Sequence, residues 1–343
     1  MERERQPDID SLKGLAILFV VLSHCDANGR FFFNYLFSFT MPLFFAVAGY
    51  LTARGDGFRS YLFKKFKRLI LPYWFWIVAS ADIFLAAFRA VTGEYALIVP
   101  YIAKAFAFMS RPLMFSPVMN LPLWFLPALF AVAPFLYGCA RLSDKALCRL
   151  GVSLAVLSPA AQARLSGEFP FSAPALPPAL FFAIAGILAA RHRSFLQKAL
   201  SVPMTIVLLA TGAGLTCGGG FSDLFSVRPA FFVAALASIA GWRGAAAHLD
   251  CRLLRFFGGN SLSFLALHCP LIVQIKYLMY GGYFKTWQTT TAAQSWTLFA
   301  LTVAASSALI WTGGALNRKF PQAKPVGAVA VVLLFLYFDA HSP

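Results

Sequence analysis

Residues 8–29 read DIDSLKGLAILFVVLSHCDANG, an apolar run that carries Lys13 near its start and His24 within it. An imidazole in hydrocarbon is costly unless it faces a polar cavity, so an ionisable group at this depth marks a site. At about 1.5 Å rise and 100° per residue, a helix running from Lys13 to His24 advances roughly 16 Å and returns to within about 20° of its starting direction. Both side chains are therefore expected on one face. Its base would lie at the membrane surface, where Lys13 can meet phosphates, and its upper part deep enough for chemistry shielded from water.

The whole chain supports a membrane setting. With 59% hydrophobic and 12% charged residues and a mean hydropathy of +0.71, it lacks about half the charge of a soluble globule. Stretches able to cross a hydrocarbon core of about 30 Å cover roughly 14–29, 34–53, 69–91, 121–140, 176–190, 201–217, 258–278 and 294–314. Weaker ones run over about 150–163 and 229–242, and an optional last stretch covers 325–338. None shows the short alternation of a barrel strand. The expected fold is all-α: a polytopic bundle of about ten transmembrane helices, with a possible eleventh at the C-terminus.

The net charge of +16 raises the question of nucleic acid, which the positions of the cations answer. If the amino terminus is cytoplasmic and ten helices follow, the inner segments hold 21 of the 29 Lys and Arg, and the outer side keeps only isolated ones such as Arg89 and Arg164. This is the asymmetry of the positive-inside rule, and dropping either weak helix would invert every later loop. The basic balance is read as topology, with membrane lipids as partners and no nucleic acid. The charged start and short apolar core of the first helix resemble a secretory signal, but no small-x-small cleavage site follows, so the helix reads as retained.

No repeat, linker or low-complexity tract divides the chain, so 1–343 reads as one membrane domain with its core over about 8–320. Six scattered cysteines have no pair spacing, forming neither a disulfide framework nor a metal quartet; they read as packing residues, and no metal is expected. The segment 95–120 is the sizeable outer connection, suited to an interfacial or partly re-entrant helix, and residues 215–229 have the Gly cluster of a loop tip. Either could line an acceptor entrance or simply connect helices.

Two further clusters carry polar groups. In GFRSYLFKKFKRLILPYW (57–74), Lys64, Lys65, Lys67 and Arg68 immediately precede an apolar helix, as in an ordinary membrane anchor. Lys65 and Arg68, three apart and so on one face, could instead cradle phosphates, with Arg68 supplying a bidentate fork. In GGNSLSFLALHCPLI (258–272), His268 follows Ser261 by two helical turns, with Asn260 beside that face. These three are either interhelical hydrogen-bond partners or a polar lining of a reaction chamber.

Asp10–Lys13–Gly14 with its spacing to His24, FSFTMPLFFAVAGYL (37–51), KKFKRLILPYW (64–74), LPLWFLPALF (121–130) and NSLSFLALH (260–268) occur in an order that resembles the acyltransferase family 3 membrane proteins. Members move acyl groups, usually acetyl, from coenzyme A onto bacterial surface glycans. Within the family the pattern is similar to the fucose 4-O-acetylase-like branch, although Thr40 stands where a histidine is frequent there and receives no role. Lys13 stands where the family often has Arg, which keeps the charge but loses the planar fork.

The resemblance implies attack of a sugar hydroxyl on a thioester carbonyl. Such a hydroxyl needs a general base with a pKa near 7, which imidazole provides, and His24 is the candidate. Lys13, Lys65 and Arg68 would hold the phosphates of acetyl-CoA, the acyl donor, on the cytoplasmic side of the inner membrane. A glycan or lipid-linked sugar would be the acceptor. Direct transfer and an acyl-histidine relay both stay open. Asp10 is expected to cap the first helix and pair with Lys13, Asp26 to end that helix or orient the imidazole, and Asp82 to make a polar contact within the bundle. The rival classes are a transporter or flippase, which should show repeated halves or broken helices, and a non-catalytic partner in polysaccharide export.

Overall fold

A computed structural model describes residues 6–25, 30–52, 57–81, 83, 105, 120–165, 169–219, 222–280 and 291–319. Asp26, most of the 95–120 connection, Asp82 and the 325–338 stretch lie outside them. Among the described residues the fold is all-α, with twelve helices and no strand beyond one isolated bridge, Asp223 to Ser226. In order they are α1 (Pro7–His24), α2 (Arg30–Tyr50), α3 (Phe58–Ala79), α4 (Phe125–Cys139), α5 (Asp144–Arg164), α6 (Leu176–Arg191), α7 (Arg193–Ala199), α8 (Val202–Gly219), α9 (Phe231–His248), α10 (Arg252–Gly259), α11 (Ser261–Tyr280) and α12 (Ala292–Lys319). Short 3₁₀ turns, Leu121–Trp124 and Pro170–Ala175, lead into α4 and α6.

Over its described residues each of the ten apolar stretches overlaps a helix, and seven described helices are long and apolar enough to cross a membrane: those over Phe32–Tyr50, Leu121–Cys139, Asp144–Arg164, Pro170–Arg191, Val202–Gly219, Ser261–Met279 and Ala292–Ala315. The weak 150–163 stretch lies inside one of them, because α5 extends it at both ends. The chain is a multi-pass membrane protein.

α1 begins earlier than its apolar run. Pro7 stands in the first turn, where its missing N–H costs nothing, and Asp8 and Asp10 there complement the positive end of the helix. Two expectations change as a result. His24 is the last residue of α1 rather than a mid-helix one, and the N-cap is Gln6, so Asp10 does not cap. Asp10 does pair with Lys13, at 2.6 Å.

Helices in lipid gain no hydrophobic drive towards one another, so close backbone approach and dispersion must hold them. Gly14 of α1 and Gly258 of α10 supply this at one crossing: a Cβ on Gly14 would strike the Leu254 carbonyl, and one on Gly258 the Asp10 carbonyl. Gly49 of α2 and Gly186 of α6 form a second reciprocal pair, against the Ala183 and Ala46 carbonyls. α1 is thereby fixed in the interior, with Ile17, Val20 and Val21 fully buried, while α5, α8 and α12 stay peripheral.

Candidate active site

α1 and α11 run side by side in the same direction. Ile17 lies level with Leu265 on a shared cavity, and Val21 and Cys25 pack with Ile272. Polar groups collect at two levels of this pair.

At the lower level, a cavity of about 230 Å³ is enclosed by α1, α2, α3, α4 and α11. Lys13, Lys65, Arg68 and Ser261 all line it, among apolar residues that include Ile17, Val47, Phe125 and Leu265. Three cations separated by up to 55 positions in sequence thus share one chamber. Lys13 and Asp10 are both largely enclosed, at 18% and 16% side-chain exposure, so among the described residues the pair leaves one cation neutralised and two in excess. Lys65 stands on α3 ahead of the apolar run that starts at Leu69. Burial, and secondarily the neighbouring Arg68 charge, hold its ammonium below the usual lysine pKa. An unneutralised cationic pocket with apolar walls suits an anion with an apolar or amide-bearing tail.

Asn260 takes a different place from Ser261. It ends α10, its side chain donating to the Phe256 carbonyl at 2.8 Å, and it does not line this cavity. The polar stretch of the 258–268 motif is therefore divided between a turn and a wall.

At the upper level, the His24 and His268 rings meet edge to face with centroids 4.9 Å apart. His24 faces the bundle, also touching Phe37 at 5.6 Å between centroids, and His268 is fully buried. Each ring donates Nδ1–H to the backbone carbonyl four residues back, Val20 at 2.7 Å and Phe264 at 2.9 Å. A neutral imidazole has one N–H, so these bonds place the basic lone pair on Nε2 in both. Cys269 brings Sγ to 3.5 Å from Nε2 of His268, and one ligand atom from each of the three residues lies within 4.8 Å of the others. Sequence reading took Cys269 as packing and left it out of the site.

A second residue was missed for an identifiable reason. Pro270 has no N–H, which leaves the Ala266 carbonyl without its helical donor. Asn120, buried at the start of the 3₁₀ turn before α4, donates Nδ2–H to that carbonyl at 2.9 Å. It thereby anchors α11 two residues from His268. A lone Asn before LPLW is the only sequence signal, and it gains meaning only once paired with the proline 150 positions on.

The lower cavity ends at Ile17 and Leu265, one turn below His268 and two turns below His24, about 10 Å along α1. Between the levels lie the buried Val20 and Val21. The arrangement is a cationic chamber at one end of α1 and a pair of oriented imidazoles at the other.

Neither curated proteins nor solved structures gave a match. The family model described as the acyltransferase domain of acyltransferase family 3 matches residues 6–339, nearly the whole chain and every residue named above. With that match added to the helical bundle and its two polar levels, the chain belongs to acyltransferase family 3, the multi-pass membrane acyltransferases.

Proposed function

We propose that the protein transfers an acyl group, acetyl in the first instance, from cytoplasmic acyl-CoA to a hydroxyl of a cell-surface or lipid-linked polysaccharide, as in the fucose 4-O-acetylase-like branch. The observation that carries this reading is the meeting of Lys13, Lys65 and Arg68 on one cavity at the foot of the helix that ends in His24. The distribution of Lys and Arg in the sequence supports a cytoplasmic amino terminus in the inner membrane, which puts this cavity on the side where acyl-CoA is available.

Phosphates of the donor rest on the three cations, with Arg68 able to hold two oxygens at once. A cavity of about 230 Å³ is small even against drug-sized pockets, so the adenosine end lies outside it and the pantetheine arm points inward. That arm crosses the level of Val20 and Val21 to present the thioester at the histidines. The acceptor hydroxyl gives its proton to Nε2 of His24, its oxygen bonds to the thioester carbon, and the tetrahedral intermediate collapses. The coenzyme A thiolate leaves and takes up a proton, and the new ester remains on the sugar. Positioned proton removal of this kind contributes about 10² to 10⁴ in rate. His268 holds the His24 ring edge-on, Ser261 lines the wall of the chamber, and Asn260 fixes the turn from α10 into α11 just outside it.

Purified protein in detergent, supplied with radiolabelled acetyl-CoA and a glycan acceptor, tests the reading. Thiol release and acylated product are expected from the wild type, and neither from His24→Ala with unchanged membrane insertion. Full acylation of the host glycan in a His24→Ala strain would refute the catalytic assignment. A flippase or export partner would bind no coenzyme and release no thiol.

A further inference from the structure

A second cavity, about 570 Å³, opens on a different face of α2, sharing only the Val47 wall with the donor cavity. It lies between α1, α2, α6 and α9 and is closed at one end by the short helix α7. Its walls are almost wholly apolar, and several, such as Leu188, Leu196 and Ile239, are half-buried, so the cavity is a cleft open at the side of the bundle. Polar groups line one end only: Tyr50, His192 and Arg243.

Arg243 is the unusual member. Its guanidinium stacks over the Tyr50 ring at 4.8 Å and donates to the Tyr50 hydroxyl at 3.3 Å, and among the described residues no carboxylate pairs with it. Asp144, which pairs with His192 at 2.8 Å, is shared between that ring and Arg191. A guanidinium held half-buried at the mouth of an apolar cleft without a counter-ion is costly until an anion reaches it. Beside it, α7 is too short to span and carries Arg193 and Lys198 together with Phe195, which is 69% exposed, the composition of a segment lying at headgroup level.

We propose that this cleft is a binding site for one anionic glycerophospholipid, with an acyl chain along the α2–α6–α9 walls and the phosphate on Arg243. A long apolar trough ending in a single cation complements that molecule, and basic pockets between transmembrane helices are where acidic headgroups bind. The donor is a poorer fit, because Lys13, Lys65 and Arg68 all line the other cavity and only Arg243 would face its several phosphates here. A lipid without a phosphate, such as a diacylglycerol, would leave the guanidinium charge uncompensated.

The test uses the full-length protein in detergent without acyl-CoA, so that it stands or fails apart from the transfer reading. Native mass spectrometry would compare retention of phosphatidylglycerol and of a diacylglycerol with identical chains. The wild type is expected to retain one phosphatidylglycerol with at least about tenfold preference, the worth of one charge-assisted hydrogen bond. Arg243→Gln should erase the preference, Arg243→Lys should keep most of it, and Ala240→Phe should expel the lipid by filling the trough with Arg243 intact. Equal retention of the two lipids by the wild type overturns the proposal. So does an undiminished preference in Arg243→Gln, or retention of a polyprenyl phosphate in place of phosphatidylglycerol.

Discussion

His24 and His268 present their rings edge to face, planes at 76°, from two helices that no short-range sequence signal connects. Because each Nδ1 is engaged by the carbonyl one turn back, the chemistry of both is confined to Nε2. The roles divide by position. His24 ends its helix and is half-buried, and His268 is fully buried, so in the proposed mechanism the first takes the hydroxyl proton and the second acts through its neighbour. His24→Ala should therefore lower kcat by about 10² to 10⁴. His268→Ala should lower kcat by about tenfold to a hundredfold with the donor KM unchanged, as a misplaced reacting group does. Steady-state thiol release checks both, and a rise in donor KM alone for His268→Ala would place that ring in donor binding instead.

Loss of a cation at the lower cavity should show the opposite pattern. Lys13→Ala and Arg68→Ala are each expected to raise donor KM about tenfold or more with little change in kcat, since a bond to a charged group is worth about 1.5–3 kcal/mol. Arg68→Lys should recover only part of the affinity, because the ammonium lacks the planar fork. Titration of acyl-CoA against each variant at low and high salt measures this; an effect that vanishes at high salt, as screened surface charges do, would reduce the three residues to a membrane anchor.

Much of this was legible in the chain because it depends on local periodicity. Each of the ten apolar stretches overlaps a helix over its described residues, and Lys13 and His24, eleven apart on α1, both lie towards α11, Lys13 on a cavity that Ser261 and Leu265 also line and His24 against His268. The convergence of Lys65 and Arg68 on Lys13 follows from how α3 packs, which no spacing encodes. Helix ends were read less well, since hydropathy marks where a segment is apolar and not where Pro7 and two acids start it. Gly14 and Gly258 stood in the quoted motifs as bare pattern; the structure shows them to be the contact points of a crossing. Asn120 and Cys269 were invisible for the same reason, each taking its meaning from a partner on another turn or helix.

Lys65 gives a pH dependence. Its pKa is held below the usual value by burial first and by Arg68 second. The folded apo protein therefore binds fewer protons there than the unfolded chain, a penalty that is present at neutral pH and relieved as pH rises towards 10.5. A bound phosphate reverses the shift, so donor binding should take up a proton at alkaline pH and weaken as pH increases. Calorimetry in two buffers of different ionisation enthalpy measures the uptake. Lys65→Arg should abolish it while retaining affinity, and an unchanged proton count in that variant would assign the uptake to another group.

The α1–α10 crossing should tolerate no side chain. Gly14→Ala and Gly258→Ala each push a methyl into a backbone carbonyl on the facing helix, which neither rotamer change nor solvent can relieve. About 1–3 kcal/mol of destabilisation is expected from each, read as reduced yield of monodisperse protein and a lower Tm. Gly214→Ala, on an exposed position of α8 where a Cβ meets only open space, is the control and should be neutral or slightly stabilising.

Asp250 closes the same crossing from the loop between α9 and α10. It accepts from Ser11 of α1 and, through both oxygens, from Arg255 of α10, one of those bonds being Nε to Oδ1 at 2.8 Å. Arg255 chiefly, then Ser11, pull its carboxyl down to about 2 from an ordinary 3.8. A depressed carboxylate contributes stability that is complete above the unfolded value and is lost as pH falls through the folded one, here between about pH 4 and pH 2. The wild-type Tm should therefore fall across that window by more than that of Asp250→Asn, which should already melt lower at neutral pH. Arg255→Gln should reproduce most of the loss and Ser11→Ala a smaller part, in the order of their effects on the carboxyl. Because Ser11 lies two residues from Lys13 on α1, the same substitutions should loosen the floor of the cavity that Lys13 lines and raise donor KM while leaving kcat near wild type. Parallel acid melting curves for wild type and Asp250→Asn would show that another group carries the acid limb.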